Sequence, residues 1–410
     1  QALNEDAVGD SYIGHSVRRL DAPSKVSGRL RYAADMKMHD MLQMQVLRSP
    51  HPHAKIVSID TSEAEAMDGV VCVITSDDVP EKTDGFGVFV HDQPIMARGK
   101  VRHVGEAVAA VAAEDLVTAR KALSKIKVVY EELPGIYDPE EAMKKCAAVV
   151  HDYAPDNIVK HIPVRKGDVN AGFANADLIL EDYFSTQQVE HAYLEPEAGI
   201  AYVDPDDVVV VISPSQNITH HRHMLSHILG LPINKVRFIM SPVGGGFGGK
   251  ESQGNALAVA CAVAASLTGR PCKMRYDRDD DFIITGKRHD CRVDYEVGFD
   301  AFGQVDSLDF KHYFRCGWAQ DLSLPVADRA MLHSDNAYDL PNVKITSHRL
   351  KTNTQSATAF RGFGGPQGMI GIERVMDHIA HELDLDPAQV RRVNYYPEMS
   401  VPPNARPPAT

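Results

Sequence analysis

The chain has no long apolar run and no basic cluster. Of its 410 residues, 43 are Lys or Arg and 56 are Asp or Glu, which gives a formal net charge of −13. An acidic chain without a local basic patch is poorly suited to bind nucleic acid. No stretch reaches about 18 consecutive apolar residues, so no membrane span is predicted. No charged leader precedes an apolar core, so no export signal is predicted either.

The cysteines are few and contain no CxxC pair. This spacing argues against a zinc ribbon or a cysteine-ligated iron–sulfur cluster within this chain. We expect them to be buried thiols of a reducing cytosol, and hence a cytoplasmic protein. The six positions are Cys72, Cys146, Cys261, Cys272, Cys291 and Cys316.

The hydrophobic pattern predicts a mixed α/β fold. In the first third, β-branched runs at 44–47, 70–75 and 126–130 predict strands, and the apolar spacing of 114–123 predicts a helix. Residues 133–156 contain several prolines and no sustained period, which predicts a linker. We therefore divide the chain into domains at 1–150 and 151–410.

The second part alternates strands and helices. The pattern predicts strands at 208–212 and 235–240, a hairpin at 292–297 and 305–313, helices at 219–229, 252–267 and 367–383, and a short helix after Asp386. His220, His221 and His223 are expected to be solvated helix residues. Beyond residue 397 the chain is too rich in proline to form a packed element.

The sharpest local signal is a glycine-rich turn at 244–249, followed by Lys250 and Glu251. Its five glycines let the backbone approach a ligand and point successive N–H groups at one atom. The predicted following helix would add the positive end of its dipole, so the turn suits an anion, a phosphate or a metal-bound oxygen. The phosphate-loop pattern GxxxxGK[ST] fails only at Glu251, where a magnesium-binding hydroxyl is required. A ligand-free turn between a strand and a helix is the other alternative.

A second glycine-rich turn at 359–368 also precedes a predicted helix, and it interleaves an arginine with aromatic residues. Arg361 can donate a planar fork of hydrogen bonds to an anionic group. Phe363 can offer a ring face to a flat ligand. The alternative is that Phe360 and Phe363 are simply core residues.

Together, 244–251 and 359–368 closely resemble the molybdopterin-binding subunit of the molybdenum hydroxylases, the xanthine dehydrogenase and aldehyde oxidase family. The resemblance covers nearly the whole chain. Residues 21–35, 52–62 and 129–134 are similar to the family's N-terminal hammerhead α/β domain. Residues 189–195, 215–217, 285–289 and 328–335 are similar to the first segment of its molybdopterin-binding domain.

The resemblance implies roles for the residues of both turns. The backbone N–H of Phe247 would face an oxygen ligand of the molybdenum, with Gly246 and Gly248 beside it. Arg361, with Gly362, would contact the pterin cofactor. Phe363 would stack on an aromatic substrate.

The resemblance also implies a pair of charged substrate-binding and catalytic residues, Glu251 and Arg329. In xanthine-specific members they bind opposite edges of the purine, and aldehyde oxidases generally lack them. Their presence favours an N-heterocycle such as xanthine or hypoxanthine, with nicotinate or an aldehyde as alternatives. A structural salt bridge, or two unrelated surface charges, is the other interpretation. Val189 stands where xanthine-oxidising members have a glutamine that contacts the metal centre, so Gln187 or Gln188 would have to replace it.

The family's subunit continues for several hundred residues beyond the part resembled here. We expect a split subunit, as in nicotinate dehydrogenases, rather than a fragment. A second molybdopterin-binding subunit would then carry the C-terminal half and the catalytic glutamate. The implied enzyme hydroxylates its substrate with water-derived oxygen, using molybdenum–molybdopterin in its cytosine dinucleotide form. Electrons would pass to [2Fe-2S] clusters and FAD on an iron–sulfur subunit and an FAD subunit. A P-loop nucleotide-binding protein and a non-catalytic assembly subunit are the rival interpretations.

Overall fold

The structure, a computed structural model, describes residues 13–79 and 85–397. Strands and helices are interleaved along this part of the chain, as the sequence predicted. The strands are β1 Leu42–Arg48, β2 Ala54–Asp60, β3 Val70–Ile74, β4 Lys100–Val101, β5 Ala107–Ala113, β6 Lys127–Glu132, β7 Ile158–Lys166, β8 Leu178–Thr186, β9 Ala198–Val203, β10 Val209–Ser213, β11 Val236–Met240, β12 Cys272–Arg275, β13 Lys287–Arg288, β14 Cys291–Phe299, β15 Val305–Gly317, β16 Val343–Lys351 and β17 Ala357–Thr358. The helices are α1 Ala22–Val26, α2 Ser62–Glu65, α3 Leu116–Leu123, α4 Pro139–Ala142, α5 Val169–Asn175, α6 Ile218–Ile228, α7 Gly254–Thr268, α8 Arg278–Ile284, α9 Ser323–Leu332, α10 Gly365–Glu382 and α11 Pro387–Asn394.

A seven-stranded sheet joins the two parts of the chain. Its order is β11-β10-β9-β12-β1-β5-β3, and β1 runs parallel to β12 with Leu42 opposite Cys272. Helix α7 covers this sheet with a surface of alanine, valine and cysteine. The small side chains allow a close approach, since a Cβ on Gly199 of β9 would come within 2.7 Å of Leu257. Strands from both sides of residue 150 share this sheet. The division of the chain into two domains at that residue stays a prediction.

A five-stranded sheet, ordered β7-β16-β15-β14-β8, forms a second core with α10. Strands β14 and β15 pair antiparallel, which confirms the predicted hairpin. The buried residues of α10 recur at helical spacing at Ile372, Val375, Met376 and Ile379. This spacing places one apolar stripe of the helix on the core, as amphipathic helices require.

Two smaller sheets complete the described fold. One has three strands, in the order β4-β2-β6. The other pairs β13 with β17 in parallel, with Arg288 opposite Thr358. This short pairing brings the segment around residue 288 directly to the start of the second glycine-rich turn.

The predicted helices and strands agree with the structure to within a few residues, with informative exceptions. Helix α7 begins at Gly254, so residues 250–253 separate it from the first turn. Strand β7 was not predicted because Pro163 and its charges obscure the alternation, and it lies at a sheet edge, where proline is tolerated. The predicted linker contains α4 and is tied to the second part by hydrogen bonds in both directions between Ile136 and Asn353.

Three further expectations need comment. Cys146 is exposed and Cys72 only partly buried, so the prediction of six buried thiols is wrong for these two. His221 is fully buried and His220 partly buried, because this face of α6 packs onto the core; only His223 is solvated as predicted. The proline-rich tail lies outside the described residues. Within the described ranges, no helix combines the length and apolar character needed to cross a bilayer.

Candidate active site

The two glycine-rich turns meet. The Arg361 N–H donates to the Phe247 carbonyl at 2.9 Å, which links the backbones of the two turns. Gly248 has a φ of +104°, and a Cβ there would lie 2.5 Å from the Ala359 oxygen. Only glycine fits this combination of backbone angle and close approach. Segments more than 100 residues apart in sequence thus form one backbone surface.

The first turn rests on Glu195. The Glu195 carboxylate accepts a hydrogen bond from the Gly244 N–H at 2.7 Å and one from Lys250 Nζ at 2.9 Å. Lys250 is completely buried, and its ammonium lies 4.7 Å from the centre of the Tyr193 ring. A lysine held in this way cannot reach the phosphates of a nucleotide. The P-loop interpretation is therefore wrong, and Lys250 stabilises the shape of the turn.

The backbone amides of the first turn divide into two groups. Gln216 Oε1 accepts hydrogen bonds from the Gly248 N–H at 2.9 Å and the Lys250 N–H at 3.2 Å. Among the residues that the structure describes, no acceptor contacts the amides of Gly246 and Phe247. Phe247 adopts a φ of 56°, uncommon for a residue with a bulky side chain, and its ring is half exposed. The turn therefore offers two adjacent N–H donors to a ligand.

The second turn is held close to α9. Gly364, with a φ of +91°, is so near α9 that a Cβ would lie 1.9 Å from the Val326 oxygen. One helical turn later, a Cβ on Gly368 would lie 2.1 Å from the Ala330 oxygen. These two approaches bring α9 against the start of α10 and place Arg329 Nε beside Gly365. Glycines at 364 and 368 thus decide where the Arg329 guanidinium lies.

The aromatic residues of the second turn have different surroundings. The Phe360 ring lies between His191, at 4.6 Å between ring centres, and the Arg288 guanidinium, at 4.1 Å. Phe363 is only partly buried and packs against the small cluster of Leu322, Val326 and Ala359. Phe360 therefore has a structural role, while part of the Phe363 ring remains accessible for stacking.

Glu251 and Arg329 do not pair with each other. In the described parts of the chain, neither side chain forms an ion pair or hydrogen bond, so the interpretation as a structural salt bridge is wrong. Burial raises the pKa of the Glu251 carboxyl, and the nearby Asp321 carboxylate raises it further. The Arg329 side chain is exposed. A partly buried carboxylate and an exposed guanidinium, both without partners, are suited to contact a ligand.

The two candidate glutamines, Gln187 and Gln188, differ in burial. The Val189 carbonyl accepts a hydrogen bond from the Arg288 N–H at 2.9 Å, and its side chain is exposed. Gln187 is exposed, whereas Gln188 Nε2 is buried with no acceptor in the described chain. Gln188 thus carries a buried side-chain amide whose hydrogen bond is not made within the described residues, and which of the two glutamines replaces the missing one stays a prediction.

Sequence reasoning missed three residues that shape the site. Gln216 and Arg288 lie inside segments that carried the resemblance, yet no role was predicted for either. Asp321 carried no signal, since its φ of 42° and its place beside Glu251 depend on the fold. Glu190 and His191 make structural contacts: Glu190 pairs with Lys287 at 2.6 Å, and His191 Nε2 donates to the Ala359 carbonyl at 2.6 Å.

Two sequence families match the chain. The family described as the molybdopterin cofactor-binding domain matches residues 150–395. The family described as the aldehyde oxidase and xanthine dehydrogenase a/b hammerhead domain matches residues 27–134. Both expected fold units are thereby confirmed.

Similar proteins include complete enzymes and single subunits. Xanthine dehydrogenase/oxidase of Felis catus is 36% identical over 95% of this chain, which spans only 28% of that protein. The nicotinate dehydrogenase large molybdopterin subunit of Eubacterium barkeri is 35% identical over 93% of this chain and 89% of its own length. Among solved structures, aldehyde oxidoreductase from Desulfovibrio gigas superimposes with a TM-score of 0.88 at 31% identity, over 95% of this chain and 44% of that one.

Proposed function

Because this chain belongs to the aldehyde oxidase and xanthine dehydrogenase family of molybdopterin-binding proteins, we propose that it forms part of the catalytic unit of a molybdenum hydroxylase. The contact between the two glycine-rich turns carries the proposal. It joins the amides of Gly246 and Phe247, which have no acceptor in the described chain, to the turn that contains Arg361. Two regions that the family resemblance assigns to one cofactor are adjacent in this chain.

The residues present fit a molybdopterin cofactor. A Cβ on Gly246 would lie 2.5 Å from Gln216 Oε1, so only glycine leaves room for the side chain that supports the turn, and the Gly246 and Phe247 amides keep no acceptor among the described residues. The Phe247 and Gly246 amides would hold an anionic or oxygen-bearing part of the cofactor, and Arg361 would hold its pterin part. When bound, the cofactor would supply the two-electron oxidation and the water-derived oxygen.

We propose an N-heterocycle of the xanthine or hypoxanthine type as substrate. The Glu251 carboxylate would accept a hydrogen bond from a ring N–H, and Arg329 would stabilise a carbonyl oxygen that gains negative charge. The accessible part of the Phe363 ring would stack on the heterocycle and orient it. Nicotinate is the second candidate, because the Eubacterium barkeri subunit is similar over nearly its full length.

Further chains complete the proposed enzyme. The chain spans 28% of the xanthine dehydrogenase/oxidase that it resembles. We propose a second molybdopterin-binding subunit with the catalytic glutamate, an iron–sulfur subunit with [2Fe-2S] clusters and an FAD subunit. We also propose that the pterin carries cytosine dinucleotide.

The test is to purify the complex that contains this chain, identify its subunits by mass spectrometry and measure molybdenum and pterin. Turnover is then screened with xanthine, hypoxanthine, nicotinate and aldehydes. Glu251→Gln and Arg329→Met should each lower kcat/KM for the preferred heterocycle about tenfold to a hundredfold, because each removes a charged hydrogen-bonding group worth about 1.5–3 kcal/mol. Their pterin content should not change.

Arg392→Met is the matched control, because Arg392 is also an exposed helical arginine. It should leave turnover unchanged. A complex without molybdenum would contradict the proposal and favour a non-catalytic assembly role. Unchanged turnover of every heterocycle by Glu251→Gln would show that the substrate assignment is wrong.

A further inference from the structure

Arg288 lies at the base of the second glycine-rich turn. It belongs to β13, whose parallel pairing with β17 places it opposite Thr358. Its backbone N–H donates to the Val189 carbonyl at 2.9 Å. These backbone contacts hold residue 288 next to the turn, independently of its side chain.

The Arg288 side chain is held by two contacts. Its guanidinium carbon lies 4.1 Å from the centre of the Phe360 ring, and Nη2 donates to the Arg361 carbonyl at 2.7 Å. Stacking on a ring leaves the edge of the guanidinium free to donate hydrogen bonds. Nη2 makes one of these hydrogen bonds, to the Arg361 carbonyl of the second turn.

The other terminal nitrogen, Nη1, is buried and has no acceptor in the part of the chain described. Burial lowers the pKa of Arg288, and no carboxylate opposes this effect. Arg288 as a whole is only partly buried, so the cost falls on Nη1, a buried donor whose hydrogen bond is not made within the described residues. The Glu190 carboxylate, next to the residue whose carbonyl accepts from the Arg288 N–H, is already paired with Lys287 at 2.6 Å.

Arg292 shows what a partnered arginine looks like in the same chain. Its guanidinium carbon also lies 4.1 Å from a ring centre, that of Tyr183. Arg292 Nε, however, is 2.7 Å from both the Glu140 and Asp294 carboxylates. The hydrogen bond to Asp294 raises the pKa of Arg292, opposite to the shift at Arg288. The two arginines share their stacking geometry and differ in having a counter-ion.

We infer that Arg288 is an anchoring residue for the phosphate of the pterin cofactor. Nη1 would donate to a phosphate oxygen while Nη2 keeps its bond to the Arg361 carbonyl. Phosphate fits because Arg288 and the exposed Arg361 together present two positive charges, and the pyrophosphate of the proposed dinucleotide form carries two negative charges, one on each phosphate. The inference rests on the proposed function and extends it to a residue outside both glycine-rich turns.

The test measures cofactor retention in the purified complex. Arg288→Gln removes the charge but keeps an amide that can donate to the Arg361 carbonyl, and Arg288→Lys restores the charge. Molybdenum and pterin are measured after gel filtration, and pterin release is followed over time. Arg288→Gln should release pterin about tenfold faster than the wild type, in line with the loss of one charge-assisted hydrogen bond. Arg288→Lys should fall between them, and Arg292→Met should match the wild type.

The outcomes separate this inference from the proposed function. A wild-type complex without pterin would contradict the proposed function itself. A wild-type complex that holds pterin no more tightly than Arg288→Gln would overturn the inference alone. Loss of a partner subunit from Arg288→Gln with pterin retained would also overturn it, since the anion would then be a carboxylate of the partner. If Arg288→Gln does not assemble, inorganic phosphate should raise the Tm of the cofactor-depleted wild-type complex relative to chloride at equal ionic strength, and no shift would overturn the inference.

Discussion

Gly248→Ala would separate the two glycine-rich turns, and the structure gives the size of the effect. A Cβ at this position meets the Ala359 oxygen at 2.5 Å and the Phe360 nitrogen at 3.0 Å, both of them backbone atoms that cannot rotate away. The unfavourable backbone angle costs about 1–3 kcal/mol, and relieving the overlap costs about as much. Moving the turns apart also weakens the hydrogen bond from Arg361 to Phe247, worth about 1 kcal/mol. We expect a total loss of about 3–7 kcal/mol.

The measurement is denaturant unfolding of the assembled complex, together with its pterin content. Gly230→Ala is the matched control: Gly230 also has a positive φ, +62°, but no atom lies within 4 Å of a Cβ there. It should cost only about 1 kcal/mol and leave the pterin bound. If Gly248→Ala loses no more stability than Gly230→Ala and retains its pterin, the contact between the turns does not build the cofactor site.

Two further predictions concern buried charges. Lys250→Met leaves the Glu195 carboxylate without its ammonium partner and should lower the free energy of unfolding by about 3–5 kcal/mol. The control Lys166→Met removes an exposed pair with Asp339 and should cost only about 0–1 kcal/mol. Similar losses in the two variants would refute the structural role of Lys250. Burial raises the pKa of Glu197 to about 8, so folding binds a proton at this carboxyl that the unfolded chain has released, and the contribution of Glu197 to wild-type stability falls as pH rises from 4.5 to 8. The amide that replaces this carboxyl in the Glu197→Gln variant does not titrate. In denaturant unfolding, the stability of this variant relative to the wild type should therefore rise across this window by up to about 1.4 kcal/mol per pH unit. A difference that does not change with pH would refute the raised pKa of Glu197.

Several local elements of the fold were predictable, although many strands, among them β2, β5, β8 and β16, were not predicted. Helix α10 and the β14–β15 hairpin follow from apolar residues recurring at the period of one structure. Strand β7 was not predicted because Pro163 and the charged residues of this edge strand hide the alternation of apolar and polar residues. The joining of β1 to β12 could not be predicted, because strand pairing between distant segments depends on the whole packing arrangement rather than on either segment.

The residue types of the candidate site were predictable from the sequence, but the contacts that these residues make with one another were not. Both glycine-rich turns stood out because glycine is required where a backbone is approached closely. The sequence could not show that the Gly248 amide is occupied by Gln216 while that of Phe247 is open. It also left Lys250 open as a phosphate ligand until its burial on Glu195 excluded that role.

The sequence by itself indicated the family and the two glycine-rich turns, because both depend on residue types at fixed spacing along the chain. The roles of Glu251 and Arg329 were implied by the resemblance to that family and stay predictions. Only the tertiary structure decided that the turns touch and that Glu251, Arg329 and Arg288 form no ion pair with any residue that the structure describes. The reason is physical: hydrogen bonding, burial and charge pairing are set by which segments lie within a few ångströms of each other. That proximity comes from sheets and helices that join residues far apart in the chain.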